Sequence, residues 1–384
     1  MSSIVFVAGD PSGDAHAARL ITALRTREPA LRVTGLGGPA MRQAGAELLA
    51  DLTTTAAIGP FDAARHVGTF LRAKRLLDEH LRRQRPSLVV LVDFGDYNLP
   101  VIAPLVKRHG IPIAYYVSPQ LWAWGRWRLR YVRRCVDRMV VFFPFEEALY
   151  REAEVPVTWV GHPLVGQPRP AHSKDEALRR YGLNPWRMTA GLLPGSRAAE
   201  VRRHLPLMLA AARRVARDMP GIQFLLLKAP GVEERAWPSD DETSGLELRV
   251  ADGETPQALQ VMDAAVVGSG TATLEAALAG TPMVVVYRTS LPTYLIARSV
   301  VRVPHIAMVN LLAERPVVPE LVQYAATPAR IAASLVELLR DEERSAAMRA
   351  GLQEVAQRLG PPGAVDRAAD VVLEMLKAQS AGVS

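Results

Sequence analysis

Two doubly wound α/β domains facing a central cleft are what this sequence predicts, from three observations. Short apolar runs alternate with stretches whose apolar residues recur at three- and four-residue spacing. The alternation stops at a Pro- and Gly-rich passage and then restarts. Runs such as LVVLV (88–92) are apolar throughout, as strands covered by helices on both faces must be. With 384 residues, 49% of them hydrophobic, the chain is long enough for two cores of ordinary size.

Taken in order, the strands expected in the first half are IVFVAG (4–9), RVTGLG (32–37), LVVLVDF (88–94), IPIAYYVS (111–118) and RMVVFFP (138–144). The text between most of them has helical periodicity, which argues for a parallel sheet wrapped by helices. GHPLVGQPRP (161–170) reads as a linker. It sets an N-terminal domain at 1–165 and a C-terminal one at 186–360, with 166–185 between them. The pattern resumes with MTAGLLPG (188–195), a helix near 198–219, IQFLLLKAP (222–230), LELRVADG (246–253), a helix at 255–263, AAVVGSG (264–270) and TPMVVVYR (281–288). Helical text closes the chain, broken at GPPG (360–363).

The single cysteine, Cys135, excludes an intramolecular disulfide framework and fits a reducing compartment. MSSIVFVAGD lacks the basic and long apolar regions of a signal peptide, and no window reaches about 18 uninterrupted apolar residues. A cytoplasmic protein able to touch a membrane is expected. The net charge of +7 is concentrated at 65–85 and 126–138, a balance that suits nucleic acid, anionic lipid or phosphorylated substrates without choosing among them. The eight histidines show no HExxH spacing and Cys135 has no partner at ligand spacing, so neither a metal site nor a cofactor is expected.

Two strand-to-helix turns in the second half carry the first chemical signal. Gly268-Ser269-Gly270-Thr271 aims backbone N–H groups and a positive helix end at an anion. Glu275, one turn further on, is placed to accept two hydrogen bonds from a ribose diol; the alternative is a local salt bridge. Pro194-Gly195-Ser196-Arg197 repeats the layout, with an Arg at a helix start where the dipole disfavours it. A diphosphate would compensate that charge; pairing with Glu200 is the weaker reading.

In the first half, AGDPSGD (8–14) offers Asp10, Ser12 and Gly13 for a sugar or phosphate, with Ser12 or Asp14 also able to cap the following helix. It is not a dinucleotide fingerprint. In LVVLVDFGDYN (88–98), Asp93 falls at the carboxyl end of a buried strand, where partial desolvation raises a carboxylate's basicity. It is the candidate base. Asp96 and Asn98 follow in the same turn, as sugar contacts or as turn formers. YYVSPQLWAWGRWRLRYVRR (115–134) interleaves Trp and Arg, but no RNA-binding signature accompanies it, so no nucleic-acid partner is expected. A helix lining the cleft or packing on the sheet is the expectation there.

Together these stretches resemble lipid-A-disaccharide synthases. The matching text runs in order: AG-x-x-SGD (8–14), GLGGPAMRQAG (35–45), VDFGDYN (92–98), YYVSPQLWAW (115–124), FFPFE (142–146), VGHPL (160–164), LLPGSRAAEV (192–201), SGTATLEAALAGTPMVVVYR (269–288) and VNLLAERPVVPELVQ (309–323). The resemblance implies a GT-B fold with the UDP-sugar on the C-terminal domain and the acceptor on the N-terminal one. It implies the base at Asp93, donor contacts at Arg197, Glu275, Asn310, Glu320 and Gln323, and an acceptor-loop serine at Ser12. It also implies an inverting transfer of 2,3-diacylglucosamine from UDP-2,3-diacylglucosamine to 2,3-diacylglucosamine 1-phosphate, at the cytoplasmic face of an inner membrane. The last helix, 364–384, is expected to return to the N-terminal domain; monomer and homodimer both stay open. Two departures stand out, Asp10-Pro11 in the loop and GPFDAARHV at 59–67. Overlapping the second and running past it, at 65–85, Val67, Phe70, Leu71, Leu77 and Leu81 with Arg and Lys around them have the pattern of a helix resting on an anionic bilayer; an amphipathic helix packed on the core is the alternative.

Overall fold

The computed structural model describes residues 3–53, 67–167, 172–301 and 303–381. The chain forms two compact units, residues 1–165 with 359–384, and residues 166–358.

The first unit is built on a seven-stranded parallel sheet of order β3-β2-β1-β4-β5-β6-β7. Its strands are β1 (Ser3–Ala8), β2 (Arg32–Gly37), β3 (Glu47–Asp51), β4 (Leu88–Val92), β5 (Ile113–Tyr116), β6 (Arg138–Val141) and β7 (Val157–Trp159). Alternation along the strands divides the core between two faces. Val5, Val7, Val89, Leu91 and Tyr115 pack on one side, with Leu77 and Leu81 of the Val67–Gln84 helix. Ile4, Phe6, Val90, Val92 and Tyr116 pack on the other, with Leu20, Ile21 and Leu24 of the Pro11–Arg27 helix. Burial of each such side chain stabilises the fold by roughly 1.5–3 kcal/mol.

The Ala364–Ala381 helix adds Ala368, Ala369, Val372 and Leu376 to this second face. Arg367 fixes its start by donating from Nε and Nη2 to the carbonyl of Val160, at 2.9 and 2.6 Å. Exposed pairs of Arg27 with Asp366 and Asp370 add little by comparison.

The second unit has a six-stranded parallel sheet, order β10-β9-β8-β11-β12-β13. Here the strands are β8 (Thr189–Leu193), β9 (Gln223–Lys228), β10 (Leu248–Asp252), β11 (Ala264–Gly268), β12 (Met283–Tyr287) and β13 (Glu320–Val322). The Ala198–Asp218 and Thr271–Ala279 helices leave β8 and β11.

Three strands go beyond the sequence reading: β3, β7 and β13 are short edge strands whose three to five residues carry too little periodicity to stand out. Two further expectations change. The stretch taken as linker, 166–185, contains the Lys174–Arg180 helix, closed by a Ser173–Glu176 capping box, and belongs to the second unit. The aromatic and basic stretch is mostly a turn-rich loop, with regular helix only at Leu129–Cys135. Of the 59–67 departure, residues 59–66 lie outside the described residues.

Candidate active site

In open parallel sheets, ligands bind beyond the carboxyl ends of the strands where the strand order reverses. The first sheet reverses between β1 and β4, and the second between β8 and β11. The residues singled out from sequence sit at these two places. The loop Gly9–Gly13 leaves β1 and Asp93 leaves β4; Gly195–Arg197 leaves β8 and Gly268–Thr271 follows β11.

At the first reversal the backbone is bent sharply. Asp93 (φ 43°) and Phe94 (φ 51°) are left-handed, as is Val117 (φ 64°) at the end of the neighbouring β5. A β-branched residue there is a genuine outlier, and each such residue costs about 1–3 kcal/mol that the surrounding structure must offset. The offset is visible. The Asp93 carbonyl accepts from the Tyr115 hydroxyl (2.6 Å) and from Asn98 Nδ2 (2.9 Å), and its N–H donates to Tyr116 O (3.1 Å). Asp93 is thereby held half-buried at the strand end.

Asn98 is fully buried and donates also to the carbonyl of Val92. It braces the turn and does not present its amide to a sugar. Asp96 is exposed and pairs at 2.5 Å with Arg128, a buried guanidinium stacked 4.1 Å above the Trp124 ring. Neither acid caps the following turn, whose N-cap is Phe94.

In the β1 loop the helix cap is Asp10, whose Oδ1 accepts from Gly13 N at 2.8 Å, with Pro11 and Ser12 exposed in the first turn. The capping expectation for Ser12 or Asp14 is thus corrected. Asp14 is buried and instead accepts from the backbone N–H groups of Gly38, Ala40 and Met41 (2.8–3.1 Å), which ties the SGD motif to GLGGPAM.

Sequence reasoning missed three residues nearby. His16, one turn beyond Ser12, packs on Tyr116 and Phe142, and His162 packs on Phe142 and Phe143. Burial pushes the two imidazoles down to about 4 and about 3, so both are neutral at pH 7. His16 Nδ1 and the Tyr116 hydroxyl have no hydrogen-bond partner among the described residues. Lone histidines in apolar text carry no sequence signal of this kind.

At the second reversal, a Cβ built on Gly270 would meet nothing within 4 Å, so this turn faces open space. Glu275 behind it is half-buried and has no hydrogen bond or ion pair to any described residue, which sets aside the local salt bridge. Burial alone raises its pKa. Arg197 is the N-cap residue of the Ala198–Asp218 helix, its side chain 78% exposed and 3.7 Å from Glu200. Glu200 is the compensating anion here. Its Oε2 also accepts from Ser196 N at 3.1 Å and lies against Gly195.

Asn310, Glu320 and Gln323 turn their polar atoms to the chain. Asn310 Oδ1 accepts from Val317 and Val318 N–H, and its Nδ2 donates to Val318 O and to Glu320 Oε1. Glu320 accepts from Ile306 and Ala307 N–H. Gln323 clamps Thr289 by both its N–H and its carbonyl, at 3.1 Å each. These three build the loops beside the turn.

Solved structures with the same architecture include a UGT transferase from Siraitia grosvenorii in complex with UDP (TM-score 0.63, 16% identity, 98% of this chain and all of that one). A second is a putative UDP-N-acetylglucosamine 2-epimerase from Listeria monocytogenes (TM-score 0.61, 12% identity, 99% and 97%). The fold is GT-B, the architecture of a large class of glycosyltransferases. Within that class the sequence is decisive. The lipid-A-disaccharide synthetase family model matches residues 4–372. Lipid-A-disaccharide synthases of Syntrophus aciditrophicus and Geobacter sulfurreducens are 44% and 41% identical, over 97–98% of this chain and 98% of theirs. The chain belongs to the lipid-A-disaccharide synthase family, a glycosyltransferase of lipid A biosynthesis that takes a sugar nucleotide and a lipid acceptor. Among the described residues no helix is long and apolar enough to cross a membrane.

Proposed function

We propose that the second unit binds UDP-2,3-diacylglucosamine, the first binds 2,3-diacylglucosamine 1-phosphate, and the sugar is transferred with inversion. The observation that carries this reading is the Gly268–Thr271 turn, open at Gly270, followed by Glu275, a half-buried carboxylate with no described partner. A ribose diol supplies the two donors such a group lacks. The diphosphate takes the free N–H groups of the two helix starts and draws Arg197 from Glu200, a pair too exposed to resist exchange.

In the reaction, Asp93 removes the proton from the acceptor 6-hydroxyl as that oxygen attacks the anomeric carbon from the face opposite UDP. The C–O bond to UDP breaks and its electron pair leaves on the diphosphate. That charge is stabilised by helix dipoles already in place, which is electrostatic preorganisation, and by the Arg197 guanidinium that the bound diphosphate has drawn to it. The products are a β-1′,6-linked disaccharide 1-phosphate and UDP.

Membrane contact belongs to the same reading, in narrower form than the sequence pattern gave. Leu77 and Leu81 are buried in the core and Phe70 packs on Phe94 and Tyr97, whereas Val67 and Leu71 are each 51% exposed. The bilayer-facing part is therefore the first turns of the Val67–Gln84 helix, with Arg72 and Arg75 exposed beside them.

The test is direct incubation of the pure protein with both acylated sugars, reading UDP and the disaccharide by mass and the new linkage by NMR. A β-linked disaccharide with stoichiometric UDP is expected. An α-linkage, or turnover of non-acylated UDP-N-acetylglucosamine in its place, overturns the reading.

A further inference from the structure

His204 lies in the Ala198–Asp218 helix, two turns from its start, and is 1% exposed. Its ring touches the ends of three neighbouring strands. Nδ1 stands 2.7 Å from the carbonyl of Pro194, which follows β8. That oxygen only accepts, so Nδ1 carries the hydrogen. Nε2 meets the backbone of Arg288, which follows β12, standing 2.9 Å from its N–H and 3.2 Å from its carbonyl oxygen. Between these two strands lies β11, and a Cβ built on its last residue, Gly268, would stand 3.3 Å from Nδ1 and 3.0 Å from the Pro194 oxygen. One imidazole thus spans the carboxyl edge of β8, β11 and β12.

What it spans matters because of what the loops carry. Pro194 opens the Gly195–Arg197 turn, Gly268 opens the Ser269–Thr271 turn, and Arg288 is an exposed cation without an ion pair among the described residues. Gln323 holds the next residue, Thr289, from the opposite side.

We propose that His204 is a positioning residue for the donor diphosphate, setting the spacing between the β8 and β11 turns and holding the Arg288 backbone beside them. This rests on the second unit being the UDP-sugar site. A leucine at 204 fills much the same volume but leaves the Pro194 carbonyl and the Arg288 N–H buried without partners, and both loops must shift to reach water. An asparagine keeps a donor near the Nδ1 position for Pro194 and ends short of Arg288.

The experiment measures UDP affinity by calorimetry, with donor KM and kcat, for the wild-type protein, His204→Leu and His204→Asn. Wild-type protein is expected to bind UDP. His204→Leu should weaken UDP binding and raise donor KM by roughly 10-fold or more, with kcat at saturating donor within about threefold, and His204→Asn should fall between the two. A histidine that merely fills the core would lower the melting midpoint in both variants and leave UDP affinity unchanged. That outcome, in whichever variant folds, overturns the proposal while the donor site stands. Failure of the wild-type protein to bind UDP would remove the donor site itself.

Discussion

The ring of Phe94 lies against Gly9: a Cβ added to this glycine would stand 2.1 Å from Phe94 Cδ1. The first residue after β1 and the second after β4 therefore fit together only when one has no side chain. The left-handed turn at Asp93 and Phe94 is what puts the ring there.

Gly9→Ala is accordingly expected to displace Phe94 and with it the Asp93 turn. A clash of this size typically costs about 1–3 kcal/mol. Activity should fall further than stability, read by comparing turnover with the urea midpoint. A variant that keeps full turnover would show that the turn tolerates movement.

Glu146 gives a pH prediction. It is buried at the start of the Pro144–Glu152 helix, where Oε2 accepts from Phe142 and Phe143 N–H at 3.2 and 3.1 Å. Desolvation pushes its carboxyl up to about 8, only partly offset by those backbone bonds. The unfolded chain releases this proton near the ordinary value of 4.5. Between these values the folded state binds more protons than the unfolded one, so stability declines as pH rises, by on the order of 1 kcal/mol per pH unit at most. Glu146→Gln keeps both bonds and removes the titration. Denaturant midpoints from pH 5 to 8 should be flatter in the variant; parallel profiles would contradict the assignment.

Glu275→Gln keeps the shape of the side chain but exchanges one acceptor for a donor. UDP affinity is expected to fall roughly 10-fold, the usual scale for a hydrogen bond to a charged group, with acceptor KM unchanged. Calorimetry with UDP and with a UDP analogue lacking the ribose 2′- and 3′-hydroxyls provides the check, since the latter should not distinguish the variant from wild type.

Membrane contact is tested at the exposed start of the Val67–Gln84 helix. Val67→Ser with Leu71→Ser, or Arg72→Glu with Arg75→Glu, should each reduce co-flotation with vesicles rich in anionic lipid, the second pair only at low salt. Substituting Leu77 or Leu81 should instead destabilise the fold, since both are fully buried. Unchanged flotation in both double variants would remove the membrane face.

The parallel strands and their helices were legible in the sequence because LVVLV, AAVVG and MVVVY are continuous apolar runs bounded by Gly, Asp and Arg. Positions at the strand ends were legible for the same reason: Asp93, Arg197 and Gly268–Thr271 follow such runs directly. Roles set by folding were not. Asp14 reaches across to Gly38, Asp96 finds Arg128 at 32 residues' separation, and Asn98 turns inward under Asp93. His204 joins partners 10 and 84 residues away. No local pattern encodes contacts of that length. At 65–85 the sequence alone does not divide core-facing from lipid-facing residues, because the two kinds of stripe have the same periodicity.

The central claim is that one aspartate at the end of β4 takes the acceptor's proton while the second unit holds UDP. Its most direct test is Asp93→Asn, read as the single-turnover rate with both acylated sugars beside UDP affinity. The rate is expected to fall at least roughly 100-fold with UDP affinity within about twofold of wild type. A folded Asp93→Asn protein that transfers the sugar at the wild-type rate would contradict it.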